Sequence, residues 1–186
     1  MTLLKNKNIV VIGGTTGLGL SAAKAFIEKG AKVMVVGRNE EIAIQAARSL
    51  GNNAAVISAD AMDEGTAINA IDQCMEKFGG FDGLYPVAGG SGRKIGDGPL
   101  HELSLDGWIK TIALNLTSLM LSNQAAVKAF LANGRGGTIL NMGSVLGYSP
   151  SPAFFPPMHM RLQRPLSSDL PDLFPLIMQK IIFVEM

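Results

Sequence analysis

The chain has 186 residues, 47% hydrophobic and 17% charged, with a formal net charge of +1. This globular composition excludes a disordered chain. The near-neutral charge gives no electrostatic case for a nucleic-acid partner or an anionic membrane. The single cysteine, Cys74, excludes an internal disulfide framework and a multi-cysteine metal site. No uninterrupted apolar run is long enough to span a bilayer, and the opening MTLLKNKNIVVIGG lacks a signal-peptide pattern. A soluble cytoplasmic protein is the expectation.

Residues 8–12 (NIVVI) form a short β-branched run that stops at glycines, as a strand buried on both faces does. Residues 18–29 have helical spacing, with Leu20, Ala23, Phe26 and Ile27 on one side and Gly30 as the C-terminal stop. Residues 31–36 predict a second strand, 40–50 a second helix ended by Gly51, 54–58 a third strand and 64–78 a third helix. Residues 81–87 predict a fourth strand, with Pro86 near its end. The glycine-rich stretch 89–107 reads either as a mobile loop beside a site or as a surface insertion. Residues 106–131 predict one long helix, apolar through Trp108, Ile109, Ile112, Leu116 and Leu119, and residues 138–142 a fifth strand. Strands alternating with helices imply right-handed crossovers and an α/β fold with a doubly wound parallel sheet.

After Gly147 the composition changes. All 22 glycines lie at or before Gly147, and seven of the nine prolines lie at or after Pro150. Prolines scattered through the remainder leave no room for a long helix before Leu176. The expected organisation is a dinucleotide-binding domain over residues 1–149, incomplete at its C-terminal side, and an atypical proline-rich tail over 150–186. The tail after Pro156 is expected to pack poorly or not at all.

The turn after the first strand, IGGTTGLGLSA at residues 12–22, lies between a strand and a helix. Gly13 allows a tight exit from the strand. Gly17 and Gly19 let the backbone approach a pyrophosphate, and Ala22 lets the helix pack on the sheet. The helix start offers free N–H groups and partial positive charge to phosphates. Thr15, Thr16 and Leu18 complete the candidate phosphate turn. The second strand ends in Gly37-Arg38, where a cofactor with a free 2′-hydroxyl usually meets an acidic residue. Arginine can pair with a 2′-phosphate instead, which tilts the choice toward NADP and away from NAD. Asp60, with Ala61, follows the third strand, where a side chain can meet an adenine edge or cap the following turn.

These motifs resemble the short-chain dehydrogenase/reductase family from residue 7 to about residue 155. IGGTTGLG is similar to the family's TGxxxGxG turn, with Ile12 in place of threonine. ADAMD at 59–63 resembles the segment that carries the adenine-contacting aspartate. LYPVAGG at 84–90 stands where the family has NNAG; Ala88 and Gly89 match, but Pro86 and Val87 replace both asparagines that help tie the central strands. Asn115 in TIALNLTS fits the helix asparagine that supports a proton-relay water, and Ser144 in GTILNMGSVLG fits the catalytic serine. The resemblance implies a Rossmann-like fold and hydride transfer between a nicotinamide and a small carbonyl or alcohol substrate. It also implies that full-length relatives form homo-oligomers. A tyrosine is the family's acid or base, and a lysine one turn later tunes it and holds the ribose.

Where the Tyr-x-x-x-Lys pair belongs, this chain has PPMHMRLQRP. Tyr148 stands too close to Ser144, and the planar forks of Arg161 and Arg164 do not reproduce a compact ammonium. Degenerate codons for residues 157–164, read from the third base of codon 157, can spell His-Ala-Tyr-Ala-Ala-Ala-Lys. The expectation is therefore a chain truncated and shifted in frame after about residue 156, and inactive as written. A non-catalytic dinucleotide-binding module is the alternative; Ser144 and Asn115 speak for the enzyme, since a binding module has no use for them.

Overall fold

The computed structural model describes residues 3–98 and 101–143 and, as backbone, 180–184. The chain alternates strand and helix: β1 Asn8–Ile12, α1 Gly17–Glu28, β2 Lys32–Gly37, α2 Glu40–Leu50, β3 Ala54–Ser58, α3 Thr66–Phe78 and β4 Gly83–Pro86. Then come α4 Leu105–Ile112, a π-helical turn Ala113–Thr117, α5 Ser118–Asn133, β5 Gly137–Asn141 and β6 Lys180–Val184. The sheet order is β3-β2-β1-β4-β5-β6. The first five strands pair in parallel, with Val10 beside Met34 on one side and Leu84 on the other. This is the Rossmann-like, doubly wound sheet that the alternation predicts. The chain winds outward from β1 in both directions, so a crevice opens between the C-terminal ends of β1 and β4.

Both faces of the sheet are covered. Val10, Ile12, Met34, Leu84 and Ile139 pack against α3 and α5, while Val11, Val33, Val35 and Tyr85 pack against α1 and α2. This is why residues 9–12 and 33–36 read as unbroken apolar runs: they are buried on both faces of the sheet. Burying each such side chain stabilises the fold by about 1.5–3 kcal/mol. Phe81 and Phe130 stack with ring centroids 4.7 Å apart, which ties α5 to the sheet. Gly137 lets β5 pass over that stack, since a Cβ there would run into the Phe130 ring.

Three expectations change. The long helix is broken at 113–117, and its buried face is not the one with the large apolar residues. Gly107, Thr111, Ser118, Ser122, Ala125, Ala126 and Phe130 face inward, while Ile109 is 56% exposed. Small residues win the inner face because α5 lies close against α3 and the sheet. The Ser118 and Ser122 hydroxyls are satisfied by donating to the carbonyls of Leu114 and Ser118, at 2.6 and 2.8 Å. Second, the described part of the glycine-rich stretch carries local structure: residues 93–95 form a 3₁₀ turn, and Gly107 seats against the Gly96 carbonyl with no room for a Cβ. Third, residues 180–184 of the tail join the sheet, antiparallel to β5. KIIFV is rich in β-branched and aromatic residues, and β5 offered an open edge. The domain boundary expected at 149/150 and the helix excluded before Leu176 lie outside the described residues. Among the described residues, no helix is long and apolar enough to cross a membrane.

Cys74 is buried on α3, and its Sγ lies 3.5 Å from the Gly80 carbonyl. Burial first, and then the nearby Asp82 charge, push its thiol from 9.0 up to about 12. The folded chain therefore holds this proton more tightly than the unfolded chain. That contribution to stability is complete below about pH 9 and is lost as the pH rises toward 12. At pH 8 the native chain should resist a disulfide reagent that labels the urea-unfolded chain at once. Equal labelling rates in the two states would contradict the burial.

Candidate functional site

A cleft of about 340 Å³ opens at the divide between β1 and β4. Its floor is the turn between β1 and α1. The Ile12 carbonyl accepts the N–H groups of both Val87 and Ala88, and the Val36 carbonyl accepts those of Gly13 and Gly14. Three strand ends are thereby fixed to one another at the bottom of the cleft. Gly13 has φ +90°, and a Cβ there would meet the Ala88 nitrogen at 2.6 Å. Gly19 tucks against the Gly13 carbonyl and has no room for a side chain either. Gly17 differs, with φ +51° and nothing within 4 Å of a would-be Cβ, so its backbone lies open to the cleft. The three glycines thus do three jobs: strand exit, helix seating and open approach.

The start of α1 is uncapped. Thr16 stands at its N-cap but makes no side-chain cap bond, and the first turn holds no acidic residue. By contrast, Asn39 caps α2 by accepting from the Ile42 N–H, and Ser104 caps α4 by accepting from the Gly107 N–H. The first N–H groups of α1 therefore point their partial positive charge into the cleft unneutralised. Thr15 is buried, and its side chain fills the space over Gly37 that a Cβ would need.

All eleven residues expected to touch a cofactor line this one cleft: Gly13, Thr15, Thr16, Gly17, Leu18, Gly19, Arg38, Asp60, Ala61, Ala88 and Gly89. Arg38 is exposed, and no carboxylate pairs with it among the described residues. Asp60 does part of the alternative task as well, since its Oδ1 accepts the Met62 N–H at 3.0 Å. Sequence reasoning missed Val36, Ala59, Val87 and Leu114, which also line the cleft. Val36, Ala59 and Val87 lie at strand ends and Leu114 on the π-helical turn; only position could have marked them, because their side chains carry no chemistry.

Asn115 sits in the π-helical turn, beside the lip. Its Nδ2 donates to the carbonyls of Gly90 and Thr111, both at 3.0 Å, and its Oδ1 accepts the Gly90 N–H at 2.9 Å. Both amide hydrogens are used, so this side chain cannot also donate to a water. It pins the strand exit that carries Ala88 and Gly89. The one tyrosine among the described residues, Tyr85, is buried edge-on to Phe26 beneath the sheet; burial raises its pKa. It faces away from the cleft and supplies no acid there. Ser144, Tyr148, Arg161 and Arg164 lie outside the described residues. No cluster of metal-ligating side chains occurs among the described residues.

Residues 7–156 match the family model described as short chain dehydrogenase. The chain is 36% identical over 151 residues to a 2,5-dichloro-2,5-cyclohexadiene-1,4-diol dehydrogenase of Sphingobium indicum. It is 30% identical over 151 residues to an NADP-dependent (R)-specific alcohol dehydrogenase of Lentilactobacillus kefiri. Each alignment covers 80% of this chain and 58% of the relative, so the chain spans a little over half the length of these relatives. Among solved structures, a short chain dehydrogenase from Mycobacterium smegmatis superposes with a TM-score of 0.81 at 25% identity, over 92% of this chain and 70% of that one. One from Bacillus anthracis superposes with a TM-score of 0.77 at 25% identity, over 90% and 67%.

Asn115→Leu would leave the Gly90 amide and carbonyl unpaired. Gly90 is exposed, so water can take up its groups; we expect a loss of about 0.5–1.5 kcal/mol of stability, with faster hydrogen exchange at Gly90. Unchanged exchange at Gly90 would show that the loop does not hang on this side chain.

Proposed function

Because the chain belongs to the short-chain dehydrogenase family, we propose that its cleft takes NADP(H) for hydride transfer to or from a small carbonyl or alcohol substrate. The observation that carries this reading is the uncapped start of α1, set on its glycine turn in an open cleft with Arg38 at the rim. The α1 N–H groups and the backbone of Gly17 would hold the pyrophosphate. Arg38 would meet the 2′-phosphate, and Asp60 with Ala61 the adenine. Ala88 and Gly89 would support the nicotinamide side. When bound, the nicotinamide supplies the hydride. In this reading Ser144 would donate a hydrogen bond to the reacting oxygen, and Asn115 would keep the β4 strand exit in place through Gly90. The names of the relatives support the class: one acts on a cyclic diol and the other on alcohols, with NADP.

The proton is the weak point. The sequence has neither tyrosine nor lysine where the family's pair belongs, and Tyr85 is packed under the sheet. We read the chain as written as having little or no turnover. This favours a second reading, a dinucleotide-binding module without catalysis, which keeps the same cleft and the same cofactor residues. The sequence supports a soluble cytoplasmic setting.

Two measurements test the reading. Titrated by fluorescence, the parent chain should bind NADPH more tightly than NADH, by roughly ten- to 150-fold, as a hydrogen bond to a charged group allows. Arg38→Ala should erase the difference, and equal affinities in the parent would remove the case for NADP. Assayed with NADPH against ketones and quinones, the parent should be inactive, since general acid–base transfer contributes roughly 10²–10⁴-fold. Restoring the shifted frame from about codon 157 should bring activity back. Robust turnover by the parent, lost in Ser144→Ala, would refute this account of the tail and make Tyr148 the first candidate for the proton.

A further inference from the structure

Asp60 lines the cleft from the loop 59–65, which runs from the end of β3 to the start of α3. Backbone groups on either side of it are tied down. The Ala59 N–H donates to the Gly37 carbonyl at 3.1 Å, which holds the loop to the end of β2. The Asp60 carbonyl accepts the Thr66 hydroxyl at 2.6 Å and the Asp63 N–H at 3.2 Å. The Thr66 N–H donates in turn to the Asp63 carbonyl at 3.1 Å. The Asp60 carboxylate joins the same turn, since its Oδ1 accepts the Met62 N–H at 3.0 Å. Where this carboxylate stands is therefore set by where the Asp60 carbonyl is held, and its shortest tie is to Thr66.

Thr66 is the first residue of α3 and is 7% exposed. Ala67, Ala70, Ile71 and Cys74 seat this helix in the core, so its start is a fixed point. A threonine at a helix start commonly spends its oxygen on a free N–H of the first turn. Here the N-cap is Gly65, and no side chain caps the helix. The Thr66 hydroxyl has one proton to give, and it gives it backward, to a carbonyl six residues earlier. Threonine is also a weak helix former, so the loop gains more from this side chain than the helix does. We infer, on the cofactor reading of this cleft, that Thr66 is a positioning residue for its adenine end. It carries the fixed start of α3 to Asp60 and so sets the carboxylate for the exocyclic amine of the base. A carboxylate only accepts hydrogen bonds, and the amine is the N–H group that adenine can offer it. A base with a carbonyl in place of that amine would meet the same carboxylate acceptor to acceptor.

The experiment titrates NADPH and its hypoxanthine analogue, which has a carbonyl in place of the adenine amine, against three full-length chains: the parent, Thr66→Val and Thr66→Ser. The parent should prefer NADPH by about two- to tenfold, as one net hydrogen bond allows. Thr66→Val keeps the shape but loses the proton. It should bind the analogue as the parent does and lose the preference for NADPH. Thr66→Ser should keep that preference. Without nucleotide, hydrogen exchange at Met62 should quicken in Thr66→Val and stay at the parent rate in Thr66→Ser. Equal weakening of both nucleotides in Thr66→Val would mark a merely structural role and overturn the inference. An intact preference in that variant, or no preference in the parent, would overturn it too, and each of these leaves the cofactor reading standing. A parent that binds neither nucleotide would remove the cofactor reading and the role of Thr66 together. If Thr66→Val does not fold, Thr66→Ala takes its place and the same comparisons decide.

Discussion

The close approach of the ends of β1 and β4 is the constraint on which the site depends. Ile12 holds Val87 and Ala88 through one carbonyl, and Val36 holds Gly13 and Gly14 through another. This leaves the chain at Gly13 with φ +90° and the Ala88 backbone where a side chain would be. Only glycine meets both demands at once. Once β1 exits this way, Gly19 must seat on the Gly13 carbonyl, and the axis of α1 is aimed at the divide between the strands. The cleft, its open helix start and its β4 wall follow from that one exit. A larger residue at position 13 would displace β4 or α1, and either displacement dissolves the site.

Much of this was legible because the buried parts of the chain are chemically simple. Residues 9–12 of β1 and 33–36 of β2 face no water on either side, so they appear as apolar runs rich in β-branched residues. Gly30, Gly51 and Gly79 mark helix ends where the backbone turns to positive φ. The cleft residues were legible for a related reason: their spacing is dictated by backbone geometry and not by packing. The long helix was misread because apolar periodicity assumes that large residues go inward. In α5 the inner face needs close approach, so Ser118, Ser122, Ala125 and Ala126 occupy it. The same holds for the glycine-rich stretch, where Gly92, Gly96 and Gly107 serve contact instead of flexibility. Composition cannot tell a glycine that frees a chain from one that lets two backbones touch.

The π-helical turn shows why a local rule could not supply the rest. The added residue at 113–117 turns Asn115 toward Gly90, across a separation of 25 residues. Nothing in the sequence near Asn115 announces Gly90 as its partner. The pairing exists because β4 delivers the loop to the lip of the cleft and α4 delivers the asparagine. Such turns disturb the regular ladder of helix hydrogen bonds, and they recur at functional sites for this reason. Here the cost of the irregular turn is offset by three side-chain hydrogen bonds from one residue.

In the proposed reading, the charges around the cleft make it two unequal anion sites. At α1 nothing acidic stands in the first turn, so the whole partial charge of the helix start is available to a phosphate. At the rim, Arg38 is followed by Glu40 and Glu41, the opening residues of α2. Those carboxylates favour the start of α2 but oppose a second phosphate beside Arg38. A pyrophosphate at α1 would therefore be held by fixed backbone dipoles and lose little in salt. A 2′-phosphate at the rim would be held by one exposed guanidinium against two nearby negative charges, in water and within reach of counterions. The net discrimination by Arg38 then falls toward the lower end of what a charged hydrogen bond can give. It should also shrink as ionic strength rises, while binding at the glycine turn persists.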